Sequence, residues 1–107
     1  MEFINSVEIR GIVGTSESYT YKDKTAVCVT VVTEYGYIDK KGMPVIDTTW
    51  FIVLKWQDSD NPAVPKKGDW VHARGRMRHR HYTDKDGNDR IPYEVVASEL
   101  EIIPKEQ

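Results

Sequence analysis

The sequence is poor in the features that would tie it to an enzyme, a membrane or an oxidising compartment. It has one cysteine, Cys28, in 107 residues, which excludes an internal disulfide and any multi-cysteine zinc cluster. Its setting, "AVCVTVV", reads as a small buried apolar side chain. No run of about 18 apolar residues is present, and the first residues lack a basic-then-apolar leader, so the expectation is a cytoplasmic protein with no membrane segment. Nucleophile and base pairings, glycine-rich phosphate loops and paired carboxylates are all missing, so no catalytic residue and no cofactor is expected. Three histidines fall on opposite sides of one strand, His79 and His81 against His72, which argues against a three-histidine metal site. The acidic run "DKDGNDR" lacks the twelfth-position glutamate of a calcium loop and is explained as a hairpin.

A large excess of either charge is also lacking. The formal net charge is −2, too little for a surface that attracts polyanions everywhere. Yet residues 71–82 carry four arginines and no acid, leaving −6 for the rest of the chain. Within "ARGRMRHRHY", Arg74, Arg76, Arg78 and Arg80 alternate strictly, with Tyr82 at the end of the row. The side-chain period of a strand is two, so all four guanidinium groups leave one face of a sheet. Such a stripe suits a polyanion.

At 107 residues the chain has the size of one domain, expected over residues 1–107. Strand signals recur along it. Residues 3–14, "FINSVEIRGIVG", alternate before two glycines that permit a bend or bulge. The polar, tyrosine-bearing "TSESYTYKDK" comes next. "TAVCVTVVTEY" is β-branched almost throughout, and "GYIDKKGMPVID" reads as a long hairpin loop. "TTWFIVLKW" is the third strand. After it, "QDSDNPAVPKKGD" carries two prolines that limit any helix to a single turn. "WVHARGRMRHRHY" is the fourth strand, "TDKDGNDR" a hairpin tip with the Asp86-Gly87 turn signal, and "IPYEVVASELEII" the fifth, with an alternation phase that slips near residues 97–99. Five strands without a long amphipathic helix predict an all-β protein. The expected architecture is a five-stranded OB-fold Greek-key barrel with extended hairpin loops and little or no helix, since closure removes exposed edges.

On the third strand Trp50, Ile52, Leu54 and Trp56 share one face and Phe51, Val53 and Lys55 the other. Both faces are largely apolar, and the pattern leaves open whether one of the tryptophans belongs to the core. Three Trp, six Tyr and two Phe exceed what so small a barrel houses, so some rings lie at the surface or in an interface. Aromatic rings beside arginines suit single-stranded nucleic acid, whose unpaired bases stack while the cations neutralise phosphates.

The chain resembles the bacterial single-stranded DNA-binding protein family from residue 5 to about residue 103. "NSVEIRGIVG" is similar to that family's opening strand, "TTWFIVLKW" to its threonine-glutamate-tryptophan strand, and "KKG" followed by "VHARGRMRHRHYTDKDGNDRIPYEVVASELEII" to its most diagnostic block. The resemblance implies an OB barrel, homo-oligomeric (tetramer, with dimer as the alternative), that binds single-stranded DNA without sequence preference in replication, recombination or repair. It maps the stacking aromatics onto Tyr37, Trp50, Trp56 and Tyr82 and the basic contacts onto Arg78 and Arg80; Arg74 and Arg76 extend the stripe. Lys40 and Lys41 sit in the hairpin that wraps DNA in the family, while Lys66, Lys67, Lys85 and Arg90 fall on other loop tips.

Three departures stand out. The family's helix between strands three and four is replaced by the proline-bearing segment. A basic residue on strand three is Ile52 here. The chain ends "EIIPKEQ" where the family continues into an acidic-tipped tail, so tail-mediated partner recruitment is not expected, which fits a tailless relative of primosomal, phage or mobile-element type. Two alternatives stay open on sequence: a primosome-type accessory protein that binds single-stranded DNA and a replication partner, and a protein-interaction OB domain whose aromatics form the subunit interface.

Overall fold

The computed structural model describes residues 1–58 and 63–104. Seven strands run in chain order: β1 (Val7–Tyr21), β2 (Lys24–Ile38), β3 (Pro44–Asp58), β4 (Trp70–His79), β5 (Tyr82–Thr83), β6 (Asp89–Arg90) and β7 (Tyr93–Ile103). Five close a barrel in the order β1-β2-β3-β7-β4, while β5 and β6 form a separate ribbon. All the barrel pairings are antiparallel except β3 with β7, which is parallel over Val53↔Val95 and Leu54↔Val96. The expected five-stranded OB architecture is present, with no helix among the described residues.

Closure depends on β1 serving two neighbours. Its first half pairs with β4 from Val7↔Gly75 to Ile12↔Trp70, and its second half with β2 from Ile12↔Val32 to Tyr21↔Lys24. The register shifts between Val13 and Thr15, so Gly14 is the bulge residue that redirects the strand. A second irregularity lies where Arg74 and Gly75 oppose Glu99 and Ala97, leaving Ser98 as the extra residue of β7. This is the phase slip visible in the sequence.

The core is built mainly from valine. Val13, Val27, Val29, Val31, Val53, Val71 and Val95, with Ile9, Ala73 and Ala97, form one buried cluster. Burying each valine contributes about 1.5–3 kcal/mol. These residues alternate with outward-facing neighbours on every strand, so the inner and outer faces result directly from the period of two.

Two strands run further than the sequence suggested. The polar stretch after Gly14, which the sequence pattern does not assign, is mostly strand: β1 continues to Tyr21 and turns into β2 through Lys22 and Asp23, with Lys22 at φ 56°. Tyrosine and threonine favour strands without needing burial, and a ribbon exposed on both sides shows no apolar alternation to read. Similarly, the long loop expected at 36–47 is mostly ladder, paired from Gly36↔Ile46 to Ile38↔Pro44. Only residues 39–43 turn, and Asp39 Oδ1 accepts the N–H groups of Lys41 and Met43, both at 2.9 Å. The fourth strand is shorter than expected and stops at His79.

The helix-replacing connection lies partly outside the described residues, at 59–62. Its second half, residues 63–69, packs against the barrel. Pro65 is fully buried and Val64 packs on the core cluster, while Ser16 Oγ donates to the Pro65 carbonyl at 2.5 Å. Gly68 N–H donates to Val13 O at 2.8 Å and Val13 N–H to Asp69 O at 2.9 Å. A proline-bearing strap therefore closes the barrel end.

Gly75 is the tightest crossing of β4 and β7: a Cβ there would overlap the Val96 carbonyl oxygen and lie 2.7 Å from Ala97 Cα. Both obstacles are backbone, which cannot step aside. Gly75→Ala is expected to lower unfolding free energy by about 3 kcal/mol in urea denaturation. Gly36→Ala, whose nearest obstacle is 4.0 Å away, is expected to change it little.

Candidate nucleic-acid interface

The outer face of β3 carries Trp50, Ile52, Leu54 and Trp56, because Val53 between them points into the core with no exposure. Both tryptophans are surface residues, Trp50 at 59% and Trp56 at 52% exposed. Neither takes a core position, since valines already fill the interior. Trp50 lies over Gly14 on β1, where a Cβ would overlap the indole and come 2.8 Å from Cη2. The bulge glycine thus seats the ring.

Around Trp56 the outer face forms a groove of about 430 Å³, whose walls include Tyr19, Cys28, Leu54, Arg78, Arg80 and Glu94. Cys28 is half-buried on this outer face, not in the core, because Val27 and Val29 occupy the inward positions of β2. Burial, followed by the nearby carboxylates of Glu94 and Glu17, pushes its thiol above the ordinary value of 9.0.

All four arginines of the stripe leave the outer face, as the alternation predicts, but they are not equivalent. Arg74 Nε donates to Glu8 Oε2 at 2.6 Å, and His72 Nε2 meets the same oxygen at 2.8 Å. The hydrogen bonds from His72 and Arg74 hold the Glu8 carboxyl below its ordinary 4.5. Arg78 Nε donates to Glu94 Oε1 at 2.7 Å, and Glu94 is only 4% exposed. Arg76 and Arg80 have no carboxylate partner among the described residues. The Arg80 guanidinium instead lies 5.6 Å from the centre of the Tyr82 ring, a cation–π arrangement. Half of the stripe is neutralised within the protein, and the free charges sit four residues apart.

The remaining predicted residues are spread over the ribbons. Lys40 and Lys41 are at the tip between β2 and β3, both exposed. Tyr37 pairs with Val45 and its ring is 6.2 Å from that of Tyr35. Alternation puts both tyrosines on the opposite side of the ribbon from Ile46 and Trp50, so the register does not bring Tyr37 beside Trp50. Tyr82 belongs to the β5–β6 ribbon, which Asp84 organises: its Oδ1 accepts the N–H groups of Asp86 and Asn88, and its Oδ2 the Nε of Arg90 at 2.9 Å. The Asn88 N–H and then Arg90 hold its carboxyl below the ordinary 3.8. Reasoning from the sequence missed Glu8 and Glu94, which decide which arginines are free. Neither is marked by a motif, and only the strand order reveals them.

The buried end of the Arg78–Glu94 pair has a stability consequence. Removing one partner strands a desolvated charge, at a cost of about 3 kcal/mol. Arg78→Ala is therefore expected to lower the urea midpoint markedly. Arg76→Ala, made at a position with no carboxylate partner, should leave it within about 0.5 kcal/mol of the parent.

Comparison with known proteins agrees with this fold. The model of the single-strand binding protein family matches residues 4–103. A protein named single-stranded DNA-binding protein from Neisseria meningitidis serogroup A is 31% identical over 104 residues, covering 94% of this chain and 60% of its own length. Single-stranded DNA-binding protein 1 of Xylella fastidiosa is 30% identical, covering 100% of this chain and 82% of its own. The chain thus spans less than two thirds of the Neisseria protein and most of the Xylella one. Among solved structures, the Plasmodium falciparum SSB in complex with ssDNA superposes with a TM-score of 0.82 at 15% identity, over 97% of this chain and 98% of that one. The small single-stranded DNA-binding protein of Streptomyces coelicolor gives 0.65 at 22%, over 96% of each. At those identities the superpositions speak for the fold. With the family model covering nearly its whole length, the chain belongs to the single-strand binding protein family.

Proposed function

We propose that this chain is a binding module that holds single-stranded DNA without sequence preference, by stacking bases on Trp50 and Trp56 and neutralising phosphates with Arg76, Arg80 and the lysines of the β2–β3 tip. The observation that carries this reading is the exposure of two tryptophans on one outer strand face, beside a groove edged by an unpaired arginine. Stacking on an aromatic face contributes about 1–3 kcal/mol per base and accepts any base. The relatives' names point the same way. Tyr82, steadied by Arg80, and Tyr37 on its ribbon supply further platforms. Arg74 and Arg78 act mainly within the protein, each tied to a glutamate. The role is binding and protection during replication, recombination or repair, not catalysis.

The module acts as a homo-oligomer, with a tetramer favoured over a dimer. A single copy leaves Phe3, Ile38, Ile46 and Tyr93 exposed beyond what the groove uses, and apolar surface of this kind is commonly covered by further copies.

Titration with oligo-dT at two salt concentrations, followed by tryptophan fluorescence, tests the reading. Strong quenching that weakens with salt is expected. Arg76→Ala and Arg80→Ala should each flatten the slope of log affinity against log salt by about 0.7, while Arg74→Ala should leave it nearly unchanged. Absence of both quenching and binding would overturn the proposal and make the aromatics a subunit interface.

A further inference from the structure

Trp70 is the one tryptophan to which the function proposed above gives no part. It opens β4 and is 45% exposed, while the next residue, Val71, fills the core with no exposure. Its place in the sheet is informative. Ile12 pairs with Trp70 on one side and with Val32 on the other, and Val32 pairs with Trp50. All four residues sit on the outer face, since Val13, Val31 and Val71 beside them point inward. Trp70, Ile12, Val32 and Trp50 therefore form one uninterrupted row across β4, β1, β2 and β3, about 14 Å long at the usual strand spacing. The Trp50 indole already reaches β1, where it covers Gly14 two residues from Ile12.

At the Trp70 end of the row is a cavity of about 300 Å³ lined by Arg10, Gly11, Ile12, Val32, Glu34 and Trp70. Arg10 has no carboxylate partner among the described residues, although Glu34 stands on the rim. An open indole and an uncommitted guanidinium thus line the same cavity, the two kinds of side chain that Tyr82 and Arg80 bring together elsewhere.

We infer that Trp70 and Arg10 form a second stacking subsite for the same single strand, which passes from Trp50 over Val32 and Ile12 to the β4 side of the barrel. This rests on the function proposed above. Continuity with Trp50 and the pairing of aromatic with free cation favour nucleic acid over a peptide as the occupant. A strand bound this way contacts four strands of the barrel instead of tracking the β3 stripe alone.

The test compares wild type with Trp70→Ala and Arg10→Ala, using oligo-dT of about 4 and about 16 nucleotides, the limits of typical OB-fold sites. Trp70→Ala is expected to bind the short oligonucleotide as wild type does, to bind the long one roughly tenfold or more weakly, and to occlude fewer nucleotides at saturation. Trp70→Phe should recover most of the loss. Arg10→Ala should flatten the salt slope for the long oligonucleotide only. Wild-type affinity and stoichiometry of Trp70→Ala for the long oligonucleotide would overturn the inference, as would a change of its mass in light scattering, which would make Trp70 a subunit contact. Failure of wild type to bind either length would overturn the function itself, and is seen before any variant is compared.

Discussion

One strand that must satisfy two neighbours sets the terms for the rest of the molecule. β1 hydrogen-bonds β4 with its first half and β2 with its second, so it has to bend between them without losing its inner face. The bend is made at Gly14, and the absence of a side chain there has an effect on the opposite, outer surface: it leaves the flat patch on which Trp50 lies. Barrel closure and the display of an aromatic platform are consequences of the same residue. The valine core obeys the same constraint, because a small closed barrel accepts branched, compact side chains and excludes indoles.

The electrostatics of the outer face are shaped by pairing more than by composition. Four arginines in alternate positions suggest four phosphate contacts, yet Glu8 and Glu94 occupy two of them. These acids lie on β1 and β7, the two strands that flank β4, so each is brought to its arginine by the closure of the barrel. The result is an alternation of committed and free guanidinium groups along β4 and the residue just past its end. The committed ones tie β4 to β1 and to β7, and the free ones keep their charge unpaired among the described residues. A net charge near zero is compatible with polyanion binding under this arrangement because only a few uncommitted cations have to face the groove.

The sequence made the inner face easy to read and the ribbons hard. Alternation of valines in "AVCVTVV" marks a core strand because burial forces a period of two, whereas in "TTWFIVLKW" both faces are apolar and the pattern did not set the inner one apart; the slip near Ala97 to Glu99 corresponds to a real bulge at Ser98. The polar half of β1 and the segment from Gly36 to Asp47 gave no such pattern, because both of their faces meet solvent and nothing selects apolar residues on one side. Their strand character comes from cross-strand pairing, a property of two segments together. Placement of the arginines was legible for the same reason as the core, while their division into paired and free was not, because it depends on which strands become neighbours. Cys28 was misplaced by composition alone: its apolar surroundings in sequence belong half to the core and half to the groove.

That position of Cys28 gives the molecule a natural reporter. The only thiol in the chain lies on the wall of the groove, next to Leu54 and within the same depression as Trp56. Its burial keeps the thiolate scarce at neutral pH, so modification by alkylating reagents is slow and governed by access to the groove. Labelling rate therefore tracks occupancy of that depression independently of any tryptophan signal, and a small probe attached there stands inside the groove around Trp56 with no engineered cysteine.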